Sequence, residues 1–430
     1  METAVREIAP NEADEIRQFE ADLNNLPIDQ IDVGQPRLFQ LGMAPQYFER
    51  LRREAPVHYC ADGFYGSYWS VTRYRDIEEI ELDTTLFSSD HFNGGVSIRS
   101  DPTDPEFYPA FITMDPPRHT EQRSVVAPAF SPQRMAGLGL RIRAWSEEIL
   151  DSLPIGEPFD WADRVAVELT ARTLAFLFDF PLDRARDLIR WSDAMIAIPG
   201  GPNFTTVEEK LRVMRECFDT FDAIWEERVK APQGDDLVSL LASRAETRDV
   251  DRAEYYGNII LLIVGGNETT RSSINGSVVA FDRFPDEWDK LRADPGLIRN
   301  LGSEVLRWQT PAPHMRRTAT RDTVLHGQKI SKGDKVVIWY LSANRDPEMF
   351  DRGGDFLLDR PNSRRHLSFG AGIHRCVGAR LAELEIQILW EEILNRFPRI
   401  DVVGTPERSY STFLHGYQDL QVVIPERLLA

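Results

Sequence analysis

Apolar residues recur with helical spacing through much of the chain, which predicts a mainly α-helical protein. The strongest helix candidate covers residues 252–282, and its segment Ile259–Val264 is apolar on every side. A helix that is apolar all round is normally buried, so this pattern predicts a central helix. Helices are also expected over residues 76–86, 297–307 and 380–397.

Segments rich in β-forming residues stand apart from these helices. Tyr68–Thr72 predicts one strand, residues 318–338 alternate between short strands and turns, and a last β region covers residues 409–424. Residues 88–113 hold glycines, prolines and few periodic apolar positions, and they predict a long loop. The expected fold is therefore mainly α with small segregated β-sheets.

Aspartates precede two predicted helices and are expected to cap them. Asp76 opens the helix predicted at residues 76–86, and Asp115 precedes two prolines and a further helical segment. An aspartate at the N-cap accepts hydrogen bonds from free backbone N–H groups, and proline suits the first helical turn.

The composition is that of a soluble globular protein. The chain has 430 residues, of which 42% are hydrophobic and 28% charged. No low-complexity linker divides it, and it contains no internal repeat. We therefore expect a polar N-terminal lead-in over residues 1–45, followed by a single domain over residues 46–430.

Charge and cysteine content argue against several classes of protein. The net charge of −19 disfavours a nucleic-acid partner and adhesion to anionic membranes. The three cysteines are far apart, so neither a disulfide framework nor a structural zinc site is expected. The first residues are polar and acidic, and the longest apolar run, Ile259–Val264, is too short to cross a bilayer. A cytoplasmic protein without a membrane anchor is expected.

One cysteine, Cys376, stands in a glycine-rich loop before the last predicted helix. Residues 369–380 read FGAGIHRCVGAR. Free N–H groups and partial positive charge at a helix N-terminus favour thiolate over thiol. Gly370, Gly372 and Gly378 carry no side chain, so a flat metal cofactor can approach the loop closely. The alternative is a buried structural cysteine beside a glycine turn.

Two adjacent glycines, Gly265 and Gly266, lie within the predicted central helix. Each costs about 1 kcal/mol relative to alanine in a helix interior, so the pair needs a reason. One reason is close packing of helices. The other is room for a ligand beside the carboxylate of Glu268 and the hydroxyl of Thr269.

Two further pairs share a helix face by their spacing. Glu304 and Arg307 are three residues apart, and His119 and Arg123 are four apart. Taken alone, each is ordinarily a solvated surface pair, so neither spacing by itself indicates a site.

The pattern Phe-Gly-x-Gly-x-His-x-Cys-x-Gly around Cys376 resembles the haem-ligand signature of the cytochromes P450, and the likeness extends from Gln46 to Ile424. It implies the cytochrome P450 fold, with haem b between the long central helix and the helix after the cysteine loop. Cys376 would be the axial thiolate, and O2 would be the co-substrate. Gly370 and Gly378 would lie against the cofactor.

The resemblance assigns roles to the acidic residues noted above. Glu268 and Thr269 match the acid–alcohol pair of the family's oxygen-binding segment, in which the alcohol binds dioxygen and the acid relays protons. Glu304 and Arg307 match a Glu-x-x-Arg pair that forms a buried network with a downstream arginine, for which Arg360 is the candidate. Such a network would fix the loop beneath the haem.

Basic residues are assigned to the haem propionates. His119, Arg123, Arg317 and His374 match positions that contact these carboxylates in the family, where charge-assisted donors are needed. Arg316 is adjacent to Arg317, and the resemblance leaves open which of the two faces the haem.

The implied activity is that of a haem monooxygenase, which inserts one oxygen atom of O2 into an unactivated C–H bond of a hydrophobic substrate. Residues 65–72, 262–271, 307–311 and 314–319 resemble the soluble bacterial alkane hydroxylase branch, which oxidises terminal methyl groups of medium-chain alkanes and fatty acids. The expected substrates have roughly 8–12 carbons, each buried methylene adding about 0.8 kcal/mol of binding. The alternative is hydroxylation of terpenes or polycyclic aromatic compounds. A peroxide-driven peroxygenase or a non-catalytic haem sensor is less favoured.

The expected substrate pocket is apolar and drawn from scattered positions. Loops near residues 92–98 and 195–204 are expected to complete it. The predicted wall residues are Ile263, Gly266, Ala312, Met315 and Phe413.

Electrons are expected from separate proteins, because the chain shows no FMN-, FAD- or NAD-binding segment and no cysteine cluster for an iron–sulfur centre. The expected partners are a 2Fe–2S ferredoxin and its NAD(P)H-dependent reductase. Arg118, Arg375 and Arg380 are expected either to form a basic docking face on the cysteine side or to contact haem and solvent.

Overall fold

The structure is a computed structural model that describes residues 10–100, 107–197, 206–230 and 234–428. Helices dominate the described residues, joined by short 3-10 turns and a π-helical segment at Ala162–Val167. In chain order the α-helices are α1 Pro10–Asn25, α2 Pro36–Gln40, α3 Ala44–Glu54, α4 Tyr74–Leu82, α5 Arg118–Val126, α6 Pro132–Asp151, α7 Glu168–Phe178, α8 Ala185–Ile196, α9 Val207–Lys230, α10 Leu237–Ser243, α11 Ala245–Arg248, α12 Arg252–Arg283, α13 Pro285–Ala293, α14 Ile298–Gln309, α15 Tyr340–Ala343 and α16 Ala379–Arg396.

The strands are short and form small sheets set apart from the helices. In chain order they are β1 Val57–Cys60, β2 Tyr68–Val71, β3 Phe87–Ser88, β4 Phe159–Asp160, β5 Met315–Ala319, β6 Thr323–Leu325, β7 Gln328–Ile330, β8 Lys335–Ile338, β9 Asp401–Val402, β10 Glu407–Arg408, β11 Tyr417–Asp419 and β12 Gln421–Val423. The largest sheet has the order β1-β2-β8-β5-β3, in which only the β2–β8 pair is parallel. This architecture confirms the predicted fold class.

Helix α12 passes through the centre of the helical part. It begins where the Asp251 carboxylate accepts the N–H of Glu254 at 2.9 Å, and it ends before Pro285, the first residue of α13. It contacts α7, α8, α14 and α16. Because helices surround it, most of its C-terminal half is buried, as its apolar segment predicts.

Helices α14 and α16 pack against α12 and carry the remaining motifs. Helix α14 stops at Thr310, which has a φ of 46° and donates its hydroxyl to the Arg307 carbonyl at 2.7 Å. Helix α16 starts directly after Gly378 and ends before Pro398. The cysteine loop therefore lies at the N-terminus of a helix, as predicted.

Three hydrophobic clusters hold the elements together. The largest joins α6, α7, α12, α14 and α16. A second joins residues 31–51 to Trp339 and Leu341, and a third packs the five-stranded sheet against α4. None of the described helices is long and apolar enough to span a membrane.

Part of the predicted lead-in belongs to this packing. Leu38 and Phe39 are buried in the second cluster, and the Phe39 ring stacks on Trp339 with centroids 5.9 Å apart. Trp339 lies 300 residues after Phe39, so the contact cannot be inferred from the largely polar sequence around Phe39. The segment after α1 is therefore more than a polar tail.

Both predicted N-caps are wrong. Helix α4 begins at Tyr74, so Asp76 lies inside it, where its carboxylate contacts Nε2 of His326 at 2.9 Å. Helix α5 begins only at Arg118. The Asp115 carboxylate instead accepts the Ser88 hydroxyl at 2.5 Å and the Ser89 N–H at 2.9 Å. In both cases the carboxylate binds a partner far away in the sequence, and the residues around the helix start give no sign of that partner.

Candidate active site

A cavity of about 520 Å³ lies between α12 and the cysteine loop. It receives side chains from α5, α8, α9, α12, β5, the segment Phe107–Thr113 and the residues around Phe413. Its volume is within the range of pockets that hold small molecules and cofactors. The cavity is therefore large enough to be the predicted site, and several of the predicted site residues line it.

The cysteine loop presents the Cys376 side chain to the cavity. The Cys376 N–H donates to the Phe369 carbonyl at 2.8 Å, which closes the loop. Gly370 and Gly372 have φ values of 65° and 62°, a conformation that favours glycine. A side chain at either position would approach Glu81 to 2.8 Å, so these two glycines also make room for α4. At Gly378 a Cβ would lie 3.9 Å from the Cys376 sulfur, an ordinary contact.

The protein surroundings of Cys376 do not by themselves favour a thiolate. The thiol faces the cavity yet is enclosed by protein, and this desolvation raises its pKa. The Gly378 N–H and the charges of Arg123 and Arg375 lower the pKa, but they do not outweigh desolvation. The expected contribution of the helix terminus is present in the hydrogen bond from the Gly378 N–H. A metal ion bound to the sulfur would itself displace the proton.

The other two cysteines are unsuited to this role. Cys60 and Cys217 are both buried, and burial raises the pKa of Cys60 to about 12 and that of Cys217 still further. Neither lines the cavity. Of the three cysteines, only Cys376 can reach a ligand in it.

Two histidines predicted to contact the cofactor meet at the cavity. The rings of His119, on α5, and His374, in the cysteine loop, lie 4.2 Å apart. All four ring nitrogens are buried and lack a hydrogen-bond partner among the described residues. Burial and nearby arginines lower the pKa of His119 to about 4 and that of His374 to about 2, so both rings are neutral. Unpartnered buried donors of this kind indicate a missing acceptor.

Arg123 and Arg317 bring positive charge to the same cavity. Arg123 donates to the Arg375 carbonyl, and the Nε of Arg317 is buried without a partner in the described part of the chain. Arg316, by contrast, donates to the Ser100 carbonyl at 2.9 Å and does not line the cavity. The structure therefore directs Arg317, not Arg316, to the site, because alternate residues of β5 face opposite sides.

Glu81 is a site residue that the sequence analysis missed. Its carboxylate is fully buried and accepts three hydrogen bonds. The donors are Nη2 of Arg317 at 2.7 Å, the Tyr340 hydroxyl at 2.6 Å and the N–H of Ala371 in the cysteine loop. It thereby joins α4, β5, α15 and the cysteine loop. The only sequence signal is indirect: Gly370 and Gly372 predict a close approach without naming its partner.

The predicted Glu304–Arg307–Arg360 network is present as a buried cluster. Arg307 donates to both carboxylate oxygens of Glu304 at 2.7 and 2.8 Å, and Arg360 donates at 3.1 Å. The remaining donors of Arg307 bind backbone carbonyls, including that of Gly353 at 2.7 Å. Every charge is thus satisfied, which is the condition for burying one. Asn344 extends the contacts, binding the Ser368 hydroxyl at 2.8 Å just before the cysteine loop.

The glycine pair of α12 serves both of the predicted purposes: both residues line the cavity, and one of them also allows close helix packing. A Cβ at Gly265 would meet nothing within 4 Å, and this residue lines the cavity. A Cβ at Gly266 would lie 2.7 Å from Cδ1 of Leu174 on α7. Gly265 therefore opens space for a ligand, whereas Gly266 also permits close helix packing.

Thr269 lies one turn beyond Gly265 and lines the cavity. Its hydroxyl donates to the Gly265 carbonyl at 3.1 Å, which leaves the oxygen lone pairs directed elsewhere. The side chain is held in place by this bond and can accept a hydrogen bond from a ligand.

Glu268 is buried beside Thr269 and is held by polar neighbours from α8 and α12. It accepts from the Ser192 hydroxyl and the Asn267 amide at 2.9 Å each, and from Arg271 at 2.5 Å. Arg271 also contacts Asp193, which is partly exposed, at 3.0 Å. Burial raises the pKa of Glu268 to about 7 despite the neighbouring Arg271 charge. The carboxyl can therefore hold or release a proton near neutral pH, with a polar route toward the surface.

Four of the five predicted pocket-wall residues line the cavity: Gly266, Ala312, Met315 and Phe413. Ile263 does not. It is fully buried in the largest core cluster, because it lies on the side of α12 that faces neighbouring helices. Leu261 and Leu262 face the cavity instead. An all-apolar segment cannot indicate which of its sides is the wall.

Both predicted wall loops contribute to the cavity where they are described. Val96 and Ser97 line it from the first, and Met195 and Ile196 from the end of α8. Residues 198–204 of the second loop lie outside the described residues.

The comparisons with known proteins agree with this class of fold and site. A family model described as Cytochrome P450 matches residues 278–415. Linalool 8-monooxygenase of Pseudomonas putida is 36% identical over 402 residues, covering 91% of this chain and 98% of that protein. A methyl-branched lipid omega-hydroxylase of Mycobacterium tuberculosis is 32% identical over 412 residues, covering 92% and 95%. The chain belongs to the cytochrome P450 family.

Solved structures of the family superpose on nearly the whole chain. Cytochrome P450-153 from Novosphingobium aromaticivorans has a TM-score of 0.85 and 41% identity, covering 91% of this chain and 99% of that one. CYP153D17 from Sphingomonas sp. PAMC 26605 has a TM-score of 0.85 and 44% identity, covering 94% and 100%. The chain is thus a P450 monooxygenase, an oxidoreductase that uses O2.

The family implies a haem iron bound by a cysteine thiolate, and the residues present fit that group. Cys376 is open to the cavity, and the described residues contain no cluster of three His, Cys, Asp or Glu side chains that could hold a metal by itself. A single sulfur ligand suits an iron that arrives within a macrocycle. The unpartnered nitrogens of His119, His374 and Arg317 suit the anionic propionates.

Proposed function

We propose that this P450 hydroxylates the terminal methyl group of a medium-chain alkane or fatty acid. The observation that carries the proposal is the apolar wall of the cavity that also holds Cys376, formed by Leu261, Leu262, Met315 and Phe413. A wall of this kind gains affinity for every methylene that it removes from water. The likeness to a methyl-branched lipid omega-hydroxylase supports attack at a chain end.

The cofactor we propose is haem b. Cys376 would hold the iron, and His119, Arg123, Arg317 and His374 would hold the propionates, with Gly378 beside the ring. When bound through a thiolate, haem supplies the oxidising chemistry of O2 activation, while the protein supplies binding, orientation and electrostatics.

The proposed task of α12 is proton delivery. Thr269 would place its hydroxyl at the reacting centre, because it lines the cavity and is held in position by its bond to the Gly265 carbonyl. Glu268 would supply the proton, because its carboxyl can both hold and release a proton near neutral pH. Arg271 and Asp193 would connect Glu268 to solvent, as Arg271 contacts both carboxylates.

The proposed electron donor is a 2Fe–2S ferredoxin served by an NAD(P)H-dependent reductase. On the cysteine side, Arg118, Arg375 and Arg380 are all exposed, but Arg118 forms a 2.5 Å ion pair with Glu254 that partly neutralises its charge. Reduction should weaken with salt, because exposed charges are screened over about 10 Å at 0.1 M. The ferredoxin concentration for half-maximal rate should rise for Arg375→Glu but not for Arg118→Gln.

Product analysis over a series of linear alkanes and fatty acids from hexane to hexadecanoic acid tests the proposal. Binding should tighten with chain length up to the limit of the cavity, and the main product should be the primary alcohol. Mostly internal alcohols would contradict terminal hydroxylation.

A terpene hydroxylase is the second candidate, favoured by the 36% identity to linalool 8-monooxygenase. Turnover of terpene or polycyclic substrates alone, with no linear product, would favour it. Turnover that needs hydrogen peroxide but no reductant would indicate a peroxygenase, and no turnover with either would indicate a haem sensor.

A further inference from the structure

The cavity carries positive charge on a part of its wall that the reaction does not use. Arg99 lines the cavity, and its guanidinium donates to the carbonyl of Ile196 at 3.1 Å, at the end of α8. Lys210 of α9 also lines the cavity and donates to the next carbonyl, that of Ala197, at 3.3 Å. The two cationic side chains therefore converge on one short stretch of backbone.

Arg99 has no carboxylate partner among the residues that the structure describes. A guanidinium has five N–H donors, and the Ile196 carbonyl takes one of them. The side chain is half-buried, and its charge acts on groups behind it: it is one of the influences that lower the pKa of buried His314 to about 4. A half-buried cation with spare donors on a cavity wall is a site for an anion.

This position is separate from the cofactor end of the cavity. Arg99 contacts the end of α8, whereas Cys376 lies at the start of α16 and has Arg123 and Arg375 as its charged neighbours. Apolar side chains of Met195, Met214 and Leu261 line the same cavity. A ligand that suits this wall has one anionic end and an apolar body.

We propose that Arg99, with Lys210 beside it, binds the carboxylate of a linear monocarboxylic acid whose methyl end extends toward Thr269. This inference rests on the proposed terminal hydroxylation and selects fatty acids over alkanes as the substrates, because an alkane has no hydrogen-bond acceptor for a guanidinium. A fixed carboxylate also determines which carbon reaches the cofactor, so chain length sets the position of attack.

Equilibrium binding to the haem-loaded full chain tests the proposal. Dodecanoic acid and its uncharged partner 1-dodecanol are titrated against the wild type, Arg99→Gln and Arg99→Lys, with the spin-state absorbance change and calorimetry as readouts. Arg99→Gln should weaken binding of the acid about 10-fold, as expected for a lost charge-assisted hydrogen bond, and change binding of the alcohol less than about 2-fold. Arg99→Lys should recover part of the loss.

The matched control is Arg212→Gln, which removes the same charge from an exposed arginine of α9 that does not line the cavity. It should leave both affinities unchanged. Equal losses for acid and alcohol in Arg99→Gln would make Arg99 a structural cap of α8 and overturn the proposal. Unchanged binding of both would also overturn it, while terminal hydroxylation would stand. If the wild type binds neither linear compound but binds a terpene, the proposed function fails as well.

Discussion

The two walls of the cavity are held in different ways. The cysteine wall is fixed by buried charges. Glu81 accepts hydrogen bonds from both Arg317 and the cysteine loop, and Arg307 donates to both Glu304 and the backbone carbonyl of Gly353. The other wall is lined mainly by apolar side chains from α8, α9, α12 and loops, with polar side chains such as Thr269 and Arg99 among them. Buried ionic contacts demand one geometry, whereas apolar contacts accept many shapes of similar volume.

The difference predicts how each wall responds to change. Removing one partner of a buried ion pair leaves an uncompensated charge, so substitutions on the cysteine wall should cost cofactor binding. Substitutions on the apolar wall should mainly alter which substrate binds. Four experiments test this division between the two walls.

The largest effect is expected at Cys376. Cys376→Ala should abolish the red-shifted absorption band of the reduced, CO-bound protein, because that band requires thiolate ligation. Cys60→Ala and Cys217→Ala are the matched controls and should keep the band, since both thiols are buried away from the cavity. A Cys376→Ala protein that retains the band would show that the ligand is assigned to the wrong residue.

The next effect is expected at Glu81. Glu81→Gln leaves the buried Arg317 without its counter-ion, so haem should dissociate about 10-fold faster, as for a charged hydrogen bond lost in a protein interior. Removing a negative charge near the cofactor should also shift the reduction potential to a more positive value. Measurements are haem transfer to an excess of a haem-free acceptor protein and a spectroelectrochemical titration.

Tyr340→Phe is the control for Glu81→Gln, because it removes one donor to Glu81 without changing charge. It should leave the potential nearly unchanged. If Glu81→Gln fails to fold, the pair Glu81→Gln with Arg317→Met should restore folding but not haem retention, since no charge is then left buried. Wild-type haem retention and potential in Glu81→Gln would contradict the positioning role.

The cysteine wall was also the more predictable of the two from sequence. The motifs of the cysteine wall are short in sequence: the cysteine loop is contained in the twelve residues 369–380, and Glu304 and Arg307 lie within one helical turn. Arg360, Arg317 and the histidines are matched through the family resemblance, which leaves the choice between Arg316 and Arg317 open. Glu81 was missed because it lies 290 residues before Ala371, in a helix that also carries exposed charged residues such as Arg75 and Glu79.

The apolar wall was less predictable for a physical reason. Helix α12 is surrounded by other helices, so its apolar segment has no polar side from which to infer direction. Ile263 and Leu262 are therefore equivalent in sequence, yet Leu262 lines the cavity and Ile263 does not. The charge at Arg99 was hidden in a loop with no regular pattern.

The third experiment concerns the proton path of α12. Thr269→Ala should bind haem and substrate but release peroxide, so the yield of alcohol per reducing equivalent should fall several-fold, which is less than the roughly 100-fold or more that a complete general acid contributes. Measurements are substrate oxidised, peroxide formed and NAD(P)H consumed. Unchanged coupling would remove the proposed role of the hydroxyl.

Glu268 should give this step its pH dependence. Its pKa is raised to about 7, so the carboxyl is protonated below that pH and ionised above it. Wild-type turnover should therefore fall as the pH rises through about 7, and Glu268→Gln should be slower and lose this dependence. Thr170→Val is the control, because it removes a hydroxyl that contacts Asn267 but not Glu268. A pH profile that is the same in Glu268→Gln would contradict the relay.

The smallest effects are expected from alanine at the two glycines of α12. At Gly265 a Cβ meets nothing within 4 Å, so Gly265→Ala should stabilise the helix by up to about 1 kcal/mol while narrowing the cavity. At Gly266 a Cβ would lie 2.7 Å from Leu174, so Gly266→Ala should destabilise the fold by about 1 kcal/mol or more. Thermal unfolding and binding of a chain-length series separate the two variants. Gly265→Ala should shorten the preferred chain at unchanged or higher melting temperature, and Gly266→Ala should lower the melting temperature with less effect on chain length. Equal behaviour would mean that the adjacent glycines share one role, and the boundary between the packed and the open side of α12 would have to be drawn elsewhere.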